Sequence, residues 1–265
     1  MLIFVNHDDL RALELMEELL RRGYYVSDQM KDLRYADVIY LGRKGIDRKH
    51  RLEMQHETKK LPEDLFQNLK ENCLILTLMN NDYLHELSKL YHFRYMCLLK
   101  QEDFIYKNSI LTAEGLLSYL ISHRRFPIYQ SRILVLGYGH CAKPIIQYLK
   151  AIGATVSVGL RNKKYRKDIE ETGCLYQNIK ELNLSNQDII INTIPCLVVD
   201  RLLIDTIDKK TMIVDIASYP YGIDHHYALS KGYNCQILPS IPCKYAYGYA
   251  GQMVVDIIEK ECFHA

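Results

Sequence analysis

The sequence predicts an α/β protein built as two doubly wound domains, the second of them a dinucleotide-binding parallel sheet. Three observations predict it. Apolar runs of strand length alternate with amphipathic stretches of helix length along the chain. One such run, Arg132 to Leu136, breaks into Gly137-Tyr138-Gly139-His140-Cys141-Ala142, a Gly-x-Gly-x-x-Ala turn that opens a helix and marks a Rossmann-like unit. At 265 residues the chain exceeds a usual single domain and can bury two modest cores.

The first half reads as strand Leu2 to Val5, helix Asp9 to Arg22, and strands Tyr24 to Val26 and Ala36 to Leu41. Helix Pro62 to Lys70, strand Cys73 to Leu78, helix Asp82 to Tyr91 and strand Tyr95 to Leu99 follow. Residues 1–108 form this Rossmann-like substrate domain. Gly42 to Lys60, with seven Lys/Arg and three Asp/Glu, reads as a long polar loop, either over a ligand cleft or idle. Thr112 is the expected N-cap of a linker helix running to His123. Asn108 and Ser109 precede that cap at a hinge, where they serve either hinge geometry or ligand contact. The second domain is 109–265.

In the glycine turn, Gly137 permits the reversal, Gly139 lets backbone approach a pyrophosphate, and Ala142 keeps the helix close to the strand. The helix N-terminus faces the phosphates, and Tyr138, His140 and Cys141 line the cofactor. The next strand, Thr155 to Gly159, leads into Leu160-Arg161-Asn162-Lys163, with no carboxylate to hold a ribose 2′-hydroxyl. Arg161 can stack on adenine and pair with a 2′-phosphate, with Asn162 and Lys163 as further donors, so NADP is favoured over NAD. A solvated basic turn is the alternative. Strand Asp188 to Ile191 delivers Asn192, Thr193, Ile194 and Pro195 to the crevice, and Met212 to Ile216 delivers Ala217 and Ser218. A helix from Ala250 to Glu261 closes the chain.

Composition excludes several classes. With Lys+Arg 34 against Asp+Glu 32, the net charge of +2 gives no basis for nucleic-acid or anionic-membrane binding. No apolar run reaches the ~20 residues of a membrane span, and the first apolar residues meet Asp8 and Asp9 too soon for a signal peptide, so a cytoplasmic protein is expected. Eight scattered cysteines lack metal-ligand spacing and read as reduced, with no metal site. The 21 tyrosines include Tyr245, Tyr247 and Tyr249, which line a ring-binding cleft or fill an interface or core.

Several segments also resemble the A-type subunits of the dipicolinate synthase family, bacterial sporulation enzymes that oxidise a dihydrodipicolinate-type intermediate to pyridine-2,6-dicarboxylate. They are Asn108-Ser109 with Thr112 to Gly115, Leu136 to Gly139, Gly159 to Arg161, Ile191 to Pro195, Asp215 to Ser218, Tyr245-Ala246 and Ala250 to Gln252. Asp9-x-Arg11-x-Leu13-Glu14 is similar to the family's opening. The resemblance implies two domains with the last helix packing back on the first. It also implies a pyridine-nucleotide oxidoreductase working on a small dicarboxylate with a flavoprotein-like second subunit, and a homo-oligomer.

The chain departs from the family at Asn6-His7, Gly42-Arg43-Lys44-Gly45, Tyr219-Pro220-Tyr221-Gly222 and Tyr247-Gly248, all where substrate is expected. Under the resemblance, Lys244 and Arg11 are candidate carboxylate clamps, while Asn108, Ser109 and Thr193 orient the ring. Asp224 is a candidate catalytic carboxylate beside His225 and His226, a pair that is more often solvated. Two other readings remain: an NADP-dependent dehydrogenase of another small acid, or a non-catalytic nucleotide-binding subunit.

Overall fold

The structure is a computed structural model and describes residues 1–263. Two compact units emerge: Met1–Asn108 together with the segment from Ala246 onward, and Ser109–Tyr245.

In the first unit, β1 (Leu2–Val5) leads through the N-cap Asp9 into α1 (Leu10–Arg21). Asp9 accepts a 3.1 Å hydrogen bond from the Ala12 amide, one of the donors that a helix start leaves without an internal partner. β2 (Tyr25–Ser27), β3 (Val38–Tyr40), the hairpin β4 (Arg51–Glu53) with β5 (Thr58–Lys60), and β6 (Leu74–Thr77) follow. α2 (Asp82–Tyr91), capped by Asn81, β7 (Arg94–Cys97) and α3 (Glu102–His123) complete the run. The five-stranded parallel sheet has the order β2-β1-β3-β6-β7. Phe4, Ile39 and Ile75 pack with Leu33, Leu52, Leu61 and Phe66 in its core.

Three expectations change here. Pro62 to Lys70 holds only a short 3-10 turn, Leu65–Gln67, because it offers just Leu65 and Phe66 for burial. The polar stretch Gly42 to Lys60 contains the β4–β5 hairpin, anchored by Leu52 in the core. Thr112 is no N-cap: α3 starts ten residues earlier, with Glu102 and Asp103 in its first turn, where acids favour the positive end of the helix dipole. Asn108 and Ser109 therefore lie inside a helix, and the boundary between units falls between them.

The second unit has β8 (Arg132–Leu136), α4 (Ala142–Ala151), β9 (Thr155–Leu160), α5 (Arg166–Glu171), β10 (Leu175–Asn178) and β11 (Ile189–Asn192). It continues with α6 (Arg201–Ile204), β12 (Met212–Asp215), α7 (His225–Ser230), β13 (Asn234–Ile237) and α8 (Ile241–Tyr245). The six-stranded parallel sheet is ordered β10-β9-β8-β11-β12-β13. Central strands buried on both faces read as unbroken apolar runs, which Arg132–Leu136 and Ile189–Asn192 nearly are. In each sheet the chain builds outward from its first strand in one direction and then the other. Right-handed crossovers then place helices on both faces, the doubly wound arrangement.

α9 (Tyr249–Phe263) belongs to the first unit and packs on α1. Gly251 is required there, since a Cβ would overlap the Glu14 backbone. Its amide donates to Glu14 Oε2 at 3.0 Å, and Arg22 bridges to Glu259 (2.6 Å) and Asp256 (2.8 Å).

Candidate functional site

The second unit's strand order reverses between β8 and β11, and at such a switch point the loops leaving two neighbouring strands diverge into a crevice. Gly137 leaves β8 at φ +107, a conformation L side chains rarely adopt, and a Cβ there would overlap Thr193 Oγ1. Thr193 closes the β11 side by donating from its hydroxyl (2.8 Å) and its amide (3.0 Å) to the Leu136 carbonyl. At Gly139 a Cβ would meet nothing within 4 Å, so the turn faces open space. Cys141 makes no capping hydrogen bond to α4, and no side chain covers the helix start on that account. Ala142 is buried against the core, while Tyr138 is half-buried and His140 exposed. Burial raises the Cys141 thiol and the Tyr138 hydroxyl above their ordinary values. A pyrophosphate fits this turn: open space over Gly139 and an uncapped helix start are its two requirements.

At the end of β9, Arg161 and Lys163 are exposed, and among the described residues Arg161 makes no ion pair. Asn162 Oδ1 accepts from the Lys164 amide at 3.1 Å, so it caps the following turn and keeps only its amide nitrogen for a ligand. Lys164, not singled out in the sequence, stacks its ammonium 4.7 Å from the Tyr165 ring.

Beneath the crevice lies a buried network that the sequence did not reveal. Asp215, fully buried at the end of β12, accepts from Asn192 Nδ2 (2.8 Å) and the Ala217 amide (2.9 Å) on Oδ1. Its Oδ2 accepts from the Gly222 amide (2.9 Å) and faces His225 Nε2 at 3.1 Å. Asn192 also bridges its own turn, donating to the Ile194 carbonyl and accepting from the Ile194 amide, each at 3.0 Å. Cys235 Sγ sits 3.2 Å from His225 Nδ1. Burial pushes the Cys235 thiol up to about 12, with Asp215 adding to the effect. The thiol therefore keeps its proton and donates to Nδ1, leaving Nε2 to donate to Asp215. The arrangement fixes the backbone of Ala217 and Ser218 and of the 193–195 turn, including exposed Pro195. A carboxylate closing an apolar strand, as Asp215 does, is the signal that such a network exists.

No family model matches the sequence. The chain is 31% identical over 202 residues to the A-type subunit of dipicolinate synthase of Bacillus subtilis (strain 168), spanning 76% of this chain and 68% of that one. The chain belongs to the dipicolinate synthase family, as one of its A-type subunits. The solved A-type subunit from Bacillus halodurans matches with a TM-score of 0.82 at 27% identity, over 98% of this chain and 96% of that chain. The fold extends to D-lactate dehydrogenase from Escherichia coli, with a TM-score of 0.67 at 12% identity over 98% and 96% of the two chains.

In this member of the dipicolinate synthase family, the other candidate residues are placed as follows. Asp224 caps α7 through the Tyr227 amide (3.0 Å) and pairs with Arg201 (3.1 Å). That amide first, and then Arg201, hold its carboxyl below the usual range. Lys244 is exposed on α8, and Ser109 is buried within α3. Arg11 is not an open clamp: it is buried, donates to Asn108 Oδ1 at 2.8 Å, and lies 5.3 Å over the Phe104 ring. Asn108 is thereby committed to Arg11. Among the described residues, no cluster of His, Cys, Asp and Glu has the makings of a metal site, and no helix is long and apolar enough to cross a membrane.

Proposed function

We propose that the chain binds NADP on the Gly137–Ala142 turn and oxidises a dihydrodipicolinate-type intermediate to pyridine-2,6-dicarboxylate. The observation that carries the reading is the switch point itself: Gly137 held in its turn against Thr193, open space over Gly139, and an uncapped α4. Membership of the dipicolinate synthase family supports the substrate. When bound, the nucleotide supplies a hydride acceptor.

The chain's own residues bind and orient. The α4 amides and the Gly139 backbone receive the pyrophosphate. Arg161 pairs with the 2′-phosphate, with Lys163 and the Asn162 amide nitrogen beside it. Thr193, Ala217 and Ser218 border the crevice on a backbone that Asn192 and Asp215 hold in place. Formation of an aromatic ring favours the reaction, so a strong general base is not demanded of these residues.

Thermal-shift titration with NADP and NAD tests the reading, since a ligand raises stability according to its affinity. A larger shift with NADP, and a further one on adding pyridine-2,6-dicarboxylate, is the expected result. Arg161→Ala should weaken NADP by about tenfold or more while leaving NAD little changed, the loss of one charge-assisted pair. An equal loss for both nucleotides removes the 2′-phosphate assignment.

A further inference from the structure

The first unit has a switch point of its own. β1 is flanked by β2 on one side and β3 on the other, so the loops leaving β1 and β3 diverge at the carboxyl edge of that sheet. Asp8 stands on the first loop and Gly42-Arg43-Lys44-Gly45 on the second. The Asp8 carboxyl lies against Gly42, where any Cβ would overlap it, and its Oδ2 accepts from the Arg43 amide. Its Oδ1 is buried without a hydrogen-bond partner. Asn6, fully buried two residues before, also keeps an unpartnered Oδ1.

The opposing loop is firmly held. The Leu78 and Met79 amides donate to the Gly42 (3.0 Å) and Arg43 (2.8 Å) carbonyls, and Asn81 Nδ2 donates to the Lys44 and Ile46 carbonyls, both at 2.7 Å. On this fixed backbone the Arg43 side chain is exposed and, among the described residues, makes no ion pair. Lys44 has only a 3.4 Å contact with Glu53.

We propose that this crevice is a second ligand site, taking a small carboxylate whose adjacent nitrogen meets Asp8 while Arg43 takes the carboxylate. The proposal rests on the dipicolinate-type reading for its substrate and adds where the first unit recognises it. A buried acceptor lacking a donor and an exposed cation lacking an anion are complementary to the two ends of an α-imino or α-amino acid.

Burial raises the Asp8 carboxyl to about 6, with Asp9 adding to the rise and the Arg43 amide and charge opposing it. Both protonation states are therefore within reach near neutrality. The carboxylate accepts from an N–H, and the acid donates to a bare ring nitrogen, so a dihydro ring and its aromatic product each find a match. The charged groups acting on Asp8 are Asp9 on its own loop and Arg43 across the crevice; the neighbouring His7 ring is turned to Met16.

The test is calorimetric titration of the full chain with pyridine-2,6-dicarboxylate and with isophthalate, which keeps both carboxylates but replaces the ring nitrogen by C–H. The wild type should prefer the pyridine acid by about tenfold near pH 5, and lose that affinity as pH rises through the Asp8 transition. Asp8→Asn offers a permanent donor in the same shape, so its preference should persist and its pH dependence disappear. Arg43→Ala should weaken both acids about tenfold.

Three results would each overturn the site: no discrimination between the two acids in the wild type, an unchanged pH profile in Asp8→Asn, or wild-type binding in Arg43→Ala. NADP binding by the wild type is measured separately. If it fails while the diacid pattern holds, the nucleotide assignment falls and the crevice stands; the reverse removes the crevice alone.

Discussion

At the carboxyl edge of the second unit's sheet, Asn192, Thr193 and Asp215 are each hydrogen-bonded within the protein, Asp215 by four groups. At the same edge of the first unit's sheet, Asn6 and Asp8 each keep a buried oxygen unpartnered. Both edges are switch points of parallel sheets, so the strand order alone does not set the difference. The second edge is a finished frame, whose ligand is met by glycine backbone and a helix start rather than by side chains in need of a partner. The first edge is unfinished, and its recognition depends on donors that a ligand must bring. Buried polar groups are ordinarily satisfied, and those that are not point to function more often than to packing.

The largest expected effect comes from breaking the frame. Asp215→Ala leaves Asn192 Nδ2, the Ala217 and Gly222 amides and His225 Nε2 without an acceptor in a buried position, at a cost of about 3–5 kcal/mol. Asp8→Ala strips a single backbone amide and should cost less than about 1 kcal/mol. Urea denaturation of the two variants reads the difference directly, and equal losses would dissolve the contrast between the edges.

A second comparison lies within the frame. Gly137→Ala combines a left-handed backbone with overlap on Thr193 and should cost about 2–3 kcal/mol. Gly139→Ala meets open space and should stay within about 0.5 kcal/mol of wild type. Yet it places a methyl where the pyrophosphate approaches, so NADP binding should weaken in a protein of unchanged melting temperature. Thermal melts with and without NADP decide this, and unaltered binding in Gly139→Ala would move the phosphates elsewhere.

What the sequence made legible follows how local the physics is. The strand, glycine turn and helix from Arg132 to Ala151 are specified by neighbours, so Gly137, Gly139 and Ala142 could be assigned from spacing. The start of α3 was hidden because Phe104 to Tyr119 is apolar on most sides, and Thr112 looked like a cap once Glu102 and Asp103 were passed over. The Asp215 network joins β11, β12, α7 and β13, and no spacing rule links Asn192 to His225 or Cys235. Arg11 looked like a clamp because its cation is visible in sequence, while its partner Asn108 and the covering ring of Phe104 lie about a hundred residues away. Asp8 stood beside Asp9 as one of two similar acids. Only the fold makes one a helix cap and buries an oxygen of the other.

The smallest effect separates the two edges by pH. Asp8 rises from its ordinary 3.8 to about 6 mainly through burial, so the folded protein holds this proton more tightly than the unfolded chain. Its contribution to stability is therefore present below about pH 4 and is lost as pH rises through about 6. Above that, the buried charge opposes folding by about 3 kcal/mol before solvent screening, and by about 1–2 kcal/mol once partial exposure is allowed for. Asp8→Asn removes the charge and keeps the shape. It should stabilise the protein by that amount near pH 8 and leave it unchanged near pH 4, read as the difference in urea midpoints followed by circular dichroism. A gain of the same size at both pH values would show a steric cause for the strain at Asp8. A loss near pH 8 would mean that the carboxylate is already satisfied, and the first edge would then be as finished as the second.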